Sequence, residues 1–216
     1  MDQPDHPTKP DPAPQGDLHS VRWAAVRARA ILITGAPGTG KSTLGRTLGA
    51  ILRLPFIARD DIRGGLFFSA GAWSSKLDRL PSGDEAVELF LQTVEDLLTR
   101  GVSCVVEYVV RSHRPADLDR LQAAGDVVVV VTSCRDPEAR LIDRNQSDRL
   151  IANPSILDAA GVETVEQHTA AMLVRMRGVE YEMVREFSLP VVRVDTTGEY
   201  EPAIDVILAF ATRPIR

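Results

Sequence analysis

The octapeptide Gly35-Ala-Pro-Gly-Thr-Gly-Lys-Ser42 does most to restrict what this chain can fold into. It is an unbroken G-x-x-x-x-G-K-S, set between the apolar run Ile31-Leu-Ile33 and a segment in which Leu44, Leu48, Ile51 and Leu52 recur at the spacing of one buried helical face. A strand must therefore run into a tight glycine bend and leave it as a helix. Gly35, Gly38 and Gly40 permit turns closed to residues with a Cβ, so that the bend Gly35, Ala36, Pro37, Gly38, Thr39 and Gly40 can aim backbone N–H groups at phosphate oxygens. Lys41, Ser42 and Thr43 open the helix, whose positive end adds to that cradle. In this pattern Lys41 reaches the outer phosphates and the Ser42 hydroxyl ligates the Mg²⁺ that accompanies them. The loop predicts a bound nucleotide triphosphate without saying what becomes of it.

The remaining chain alternates strand and helix patterns. Leu54 to Ala58 reads as a second strand ending at Arg59-Asp-Asp-Ile-Arg63, and residues 64 to 83 read as irregular. Ser82 and Glu85 fit a capping box before a helix with Val87, Phe90, Leu91, Val94, Leu97 and Leu98 on one stripe, closed by Gly101. Val102 to Val110 predicts a third strand carrying Glu107, Pro115 to Gly125 a short helix, and Val127 to Val131 a fourth strand wanting burial on both faces. Asp136-Pro-Glu138 opens a helix running into Arg144-Asn-Gln-Ser-Asp-Arg149, and a long helix is expected from about Glu163 to Phe187. Pro190 to Val194 is a fifth strand, and Ile204, Ile207 and Leu208 mark a last helix. This rhythm predicts an α/β fold, a parallel sheet with helices on both faces and sites at the carboxyl ends of the strands.

Residues 1–20 are rich in Pro with almost nothing apolar to bury and read as a disordered tail, leaving 21–216 as one domain with a lid at about 144–162. The formal net charge of -5 gives no bulk attraction to nucleic acid or anionic membrane, so a nucleic-acid partner is disfavoured and a small molecule favoured. No apolar run approaches the roughly 20 residues of a membrane helix, and the N-terminus lacks the basic start and apolar stretch of a signal peptide; a cytoplasmic location is the expectation. Cys104 and Cys134 are read as small core residues.

Phosphoryl transfer to an alcohol needs a carboxylate to accept the proton, cations to hold developing charge, and exclusion of water. Asp60 and Asp61 end the second strand beside the glycine loop, and one of them, with Asp60 first, is the candidate base. Arg63 can orient the acceptor or a substrate anion. Glu107, a charge among valines, either touches the Mg²⁺ shell or the substrate, or pairs with Arg111 or Arg114. Arg144 and Arg149 lie where a lid would close over the triphosphate, and at least one is assigned to stabilising the transferring group. His113 is placed near the mouth and His168 is read as structural. Phe67, Phe68 and Trp73 point to an apolar or ring-bearing acceptor, or to stacking of a terminal base.

Together these residues resemble the small P-loop kinases that include polynucleotide 5'-hydroxyl kinases, chloramphenicol phosphotransferase and zeta toxins, over roughly Ile31 to Phe210. Arg59-Asp-Asp-Ile-Arg63 is similar to the R-D-D-x-R of the polynucleotide kinase branch, which implies Asp60 as general base and Arg63 on the acceptor side. The family's acid at the third strand's end is usually Asp, here Glu107, and its R-N-x-x-x-R lid pattern is kept only loosely by Arg144, Asn145 and Arg149. Asp195-Thr-Thr-Gly198 is similar to the loop lining the adenine, which implies Thr197 in nucleotide binding. The resemblance further implies a three-layer P-loop fold with five parallel strands in the adenylate-kinase-like order 2-3-1-4-5. In that order one strand separates those carrying Cys104 and Cys134, and at about 4.8 Å per strand the thiols are too far apart to bridge.

Spacing argues against a GTPase switch, since Lys41 to Asp61 has room for only one helix and one strand, and Asn145 follows a helix and not an apolar strand. The resulting expectation is an ATP- and Mg²⁺-dependent kinase acting on a small-molecule hydroxyl, with a polynucleotide 5'-hydroxyl kinase or a non-catalytic ATP-binding regulator as alternatives.

Overall fold

A computed structural model of the chain describes residues 27–69, 82–146, 164–177 and 187–214. The expected tail at 1–20, Arg149 and Trp73 lie outside these residues, as does the lid beyond 146. Five strands, β1 (Arg29–Gly35), β2 (Phe56–Ala58), β3 (Cys104–Glu107), β4 (Asp126–Ser133) and β5 (Val191–Asp195), form one sheet in the order β2-β3-β1-β4-β5. Every pairing is parallel. This is the expected 2-3-1-4-5 arrangement, with the glycine loop leaving the central strand.

Period-two alternation along the strands divides the core into two layers. Ala30 and Leu32 of β1, Cys104 and Val106 of β3, and Val127 and Val129 of β4 face one side. There they meet Val87, Phe90, Leu91, Val94 and Leu98 of α3 (Gly83–Thr99) and Leu121 of α4 (Pro115–Ala124). Ile31, Ile33, Val105, Val128 and Val130 face the other, against Leu44 and Leu48 of α1 (Lys41–Leu52) and Ile207 and Ala211 of α7 (Ile204–Thr212). The valine run of β4 is buried on both faces because helices cover both. Cys104 and Cys134 are free, and burial pushes the Cys104 thiol up to about 12.

Three local readings need correction. Residues 64 to 69 are helical and belong to α2 (Arg59–Ser69), so Asp60 and Asp61 occupy the first turn of a helix and not a strand end. Gly64 and Gly65, each costing about 1 kcal/mol against Ala in a helix, conceal it. Tertiary packing of Ile62 and the fully buried Phe67 holds it. Ile51, expected on the buried face of α1, is 51% exposed in that helix's last turn, beside the chain reversal at Arg53 (φ 55°). The second and third strands are also shorter than expected, and Glu107 is the last residue of β3.

The capping box of α3 is present in full: Ser82 accepts from the Glu85 N–H at 3.1 Å and the Ser82 N–H donates to Glu85 at 2.6 Å. Ser82→Ala is expected to cost about 1 kcal/mol in denaturant unfolding. The two helices completing the chain near the sheet's carboxyl ends are α5 (Pro137–Gln146) and the described part of the long helix, α6 (Val165–Arg177). Asp136 caps α5 through the Ala139 N–H at 2.9 Å. No helix among the described residues is long and apolar enough to cross a membrane.

Candidate active site

The glycine loop takes the backbone its sequence demands. Gly38 (φ 82°) and Gly40 (φ 77°) are left-handed, and a Cβ on Gly38 would run into the Pro137 carbonyl oxygen. Gly40 caps α1 with no side chain, which leaves the helix's positive end open to a ligand. Gly38→Ala is expected to cost at least about 1–2 kcal/mol in denaturant unfolding, the scale at which a left-handed backbone penalises a residue with a Cβ.

Inside the loop the Ala36 carbonyl accepts from the Thr39 hydroxyl at 2.7 Å and from Lys41 Nζ at 2.9 Å. Lys41 is 8% exposed, and burial holds its ammonium below the ordinary range against the raising pull of Glu107 and Asp60. Ser42 and Glu107 line the same small cavity. Burial pushes the Glu107 carboxyl above its usual range, an effect Lys41 and Ser42 only partly offset. These two hard oxygen donors, with phosphate oxygens and water, fit the ligand preferences of Mg²⁺. Among the described residues there is no cluster of three or more side chains that would hold a metal unaided. The alternative partner Arg114 binds Asp117 at 2.8 Å and Asp84 at 3.0 Å.

Lys41, Ser42, Glu107, Asp60 and Arg144 line one small cavity of about 70 Å³, together with Pro37, Arg59, Tyr108, Val109 and Met172. Elements far apart in sequence therefore converge: the glycine loop, the first turn of α2, the end of β3, α5 and α6. Asp60 is paired with Arg59 at 3.1 Å, whereas Asp61 turns away to Arg46 at 3.1 Å. Arg63 lies one turn further along α2 with its guanidinium 5.3 Å over the Phe67 ring.

A larger cavity of about 530 Å³ opens on the other side of the loop, lined by Gly40, Thr43, Arg140, Thr196, Gly198, Glu199, Tyr200, Ala203 and Ile204. Arg140 donates to the Thr196 hydroxyl (2.9 Å) and to the carbonyls of Thr196 (2.6 Å) and Thr197 (2.9 Å), and the Thr196 hydroxyl bonds the Thr39 carbonyl at 3.0 Å. The Thr197 hydroxyl accepts from the Arg135 N–H at 2.9 Å, so its neighbours and not Thr197 itself line the cavity.

Sequence reasoning missed Arg140 and Met172, which carry no local pattern to single them out, and gave Arg59 no role of its own within its motif. His113 is exposed and lines neither cavity. Phe67 is only 1% exposed and Phe68 projects into solvent at 68%, and neither lines either cavity; the third ring of that reading, Trp73, lies outside the described residues.

The sheet order, the loop leaving its central strand and the two flanking cavities define the three-layer fold of the P-loop kinases. No protein-family model matches the sequence, and no curated protein does. Solved structures with the same fold include a candidate kinase from Chloroflexus aurantiacus J-10-fl, 21% identical over 88% of this chain and 100% of that one, with a TM-score of 0.62. A gluconokinase from Sinorhizobium meliloti 1021 is 17% identical over 87% and 94%, TM-score 0.50. The APS kinase of Mycobacterium tuberculosis, in complex with AMPPNP and APS, is 19% identical over 84% and 96%, TM-score 0.50.

The raised Glu107 carboxyl makes a prediction with a definite sign. The native state keeps this proton to a higher pH than the unfolded chain, whose carboxyl titrates near 4.5, so stability falls as pH rises from 4.5 through the raised value. Glu107→Gln removes that fall. At pH 7 the nucleotide-free variant is expected to melt about 2–4 °C above the parent.

Proposed function

We propose that this protein is an ATP- and Mg²⁺-dependent kinase that transfers the γ-phosphate to a hydroxyl of a small molecule. The carrying observation is that Lys41, Ser42, Asp60, Glu107 and Arg144 line a single cavity at the mouth of the glycine loop. One group able to take a proton and several able to hold negative charge thus surround the same small volume, as in-line phosphoryl transfer requires.

The nucleoside would occupy the larger cavity, with the triphosphate running along the loop past Gly40 to Lys41. Asp60 accepts the acceptor's hydroxyl proton as its oxygen attacks the γ-phosphorus, and ADP departs on the opposite side. Arg59 holds the Asp60 carboxylate in position. Lys41 and Arg144 balance the charge that spreads over the transferring oxygens. Ser42 and Glu107 would hold Mg²⁺, which when bound supplies neutralisation of the phosphate oxygens. The kinases among the solved structures with this fold agree with the reading, and the net charge of -5 favours a small acceptor over a polymer.

The test is transfer of labelled γ-phosphate onto a panel of sugars, sugar acids, nucleosides, antibiotics and 5'-hydroxyl oligonucleotides. Transfer to a small alcohol is the expected result. Transfer to oligonucleotides alone would replace the acceptor class, and nucleotide binding without transfer to any would leave a regulator.

A further inference from the structure

Helices α5 and α6 carry Arg144 and Met172 to the wall of the small cavity, so the way they lie against each other decides what that wall contains. Apolar packing does little to settle it. On α5 the buried residues are Leu141 and Asn145, four apart on one face. Along the described length of α6 only Thr169 is buried, while Val174 is 70% exposed. The most enclosed part of each helix thus includes a polar side chain, and these two meet: Asn145 Nδ2 donates to Thr169 Oγ1 at 2.9 Å. At the other end of the pair Arg177 meets Glu138 at 2.5 Å, so the helices run antiparallel. That ion pair is solvent-exposed and screened by salt, and it fixes geometry only weakly.

The hydrogens leave the buried pair one orientation. The Thr169 hydroxyl donates its proton to the Val165 carbonyl at 2.8 Å, so toward Asn145 its oxygen can only accept. The amide nitrogen must therefore face Thr169, which leaves Asn145 Oδ1 buried with no partner among the described residues. A buried acceptor left unpaired costs free energy, and an apolar pair of the same shape would hold the two helices at least as firmly. What an apolar pair would not do is choose a register. Apolar surfaces can meet in several alignments, whereas this donor and acceptor meet in one, much as a single buried asparagine sets the register of a coiled coil. A slip of one helical turn would move α5 by about 5.4 Å along its axis and carry Arg144, the neighbour of Asn145, away from the cavity.

We propose that Asn145 is a positioning residue: bonded to Thr169, it sets the register of α5 on α6 and thereby keeps Arg144 and Met172 at the same cavity. Arg144 is the preceding residue of α5, and Met172 lies three beyond Thr169 on one face of α6. The inference rests on the phosphoryl-transfer reading, in which Arg144 balances charge on the transferring oxygens. In such a site a misplacement of about 1 Å is enough to cost about a hundredfold in rate. Asn145 thus serves the reaction without touching substrate, through the alignment of the helix that carries Arg144.

The test exchanges the polar pair for an apolar one, Asn145→Leu with Thr169→Val, in the full chain. The melting temperature is expected to stay level or rise, because the unpaired oxygen leaves with the bond. Transfer of labelled γ-phosphate from Mg·ATP onto the panel of sugars, sugar acids, nucleosides and antibiotics is expected to lose at least about tenfold in kcat, with KM for ATP within about threefold of the parent. A variant that melts well below the parent, or one that keeps the parental kcat, overturns the proposal. The same exchange in an Arg144→Met background should cost less than about twofold, since the residue being positioned is already gone. A further loss of about tenfold there overturns the route through Arg144. Register is read without activity, from the distance between spin labels at Asp143→Cys and Val174→Cys, both exposed positions. Cys134→Ser removes the partly exposed native thiol, and Cys104 is buried with its thiol pushed up to about 12, so it stays unlabelled. The parent should give one narrow distance distribution and the apolar pair a broadened or displaced one. A broad distribution in the parent, or an identical one in the variant, overturns the proposal whatever the kinetics. Should no alcohol accept phosphate, the kinase reading falls and the distance measurement alone decides the register.

Discussion

Asp60→Asn is expected to lower single-turnover phosphoryl transfer by about 10²–10⁴-fold, the usual contribution of a positioned base, while Mg·AMPPNP binds within about twofold of the parent affinity. The asymmetry follows from location. Asp60 lines the cavity from the first turn of α2 and touches Arg59, but its side chain is 79% exposed and holds no part of the glycine loop in shape. Asp61→Asn is the matched control. Its ion pair with Arg46 leaves both side chains more than half exposed, and such surface pairs contribute at most about 1 kcal/mol. Near-parent activity is expected for it. Should Asp61→Asn lose transfer and Asp60→Asn keep it, the base would be the wrong member of the pair.

Lys41→Met is expected to cost about 10²–10³ in kcat, the scale seen when one preorganised charge donor is removed from a transition state. Its effect on folding should have the opposite sign. Burial already disfavours the Lys41 charge, so an uncharged chain of similar length is expected to raise the melting temperature of the nucleotide-free protein. Lys41 and Glu107 attract each other, and each single substitution forfeits that attraction, which the double substitution forfeits only once. The double variant should therefore be stabilised by more than the sum of the singles, while its activity loss should be smaller than their product because the residues act together. Calorimetric melting beside single-turnover kinetics reads both. Additive stabilities would show that the two charges do not sense one another.

The fold was legible because its determinants are local and repeated. The run Val127 to Val131 wants burial on both sides, Ser82 and Glu85 announce a helix start, and the spacing of Gly35, Gly38 and Gly40 allows one kind of bend. Helix α2 was not legible, since Gly64 and Gly65 argue against a helix locally and only the packing of Ile62 and Phe67 overrides them. The candidate site divides along the same line. Residues within the glycine loop and the Arg59 to Arg63 segment were singled out by pattern. Arg140 and Met172 were not, because an arginine or a methionine on a helix carries no sign of what chain reversal brings opposite it.

The chain of contacts from Arg140 through Thr196 to the Thr39 carbonyl has a consequence for how a nucleotide is received. It braces the larger cavity, the proposed seat of the base, against the glycine loop, so neither wall would have to be assembled when a ligand arrives, and little of the binding free energy would go into ordering them. The same brace makes the two ends of the ligand interdependent: loosening the rim at Thr196 should be felt at the far phosphate as a shorter residence time.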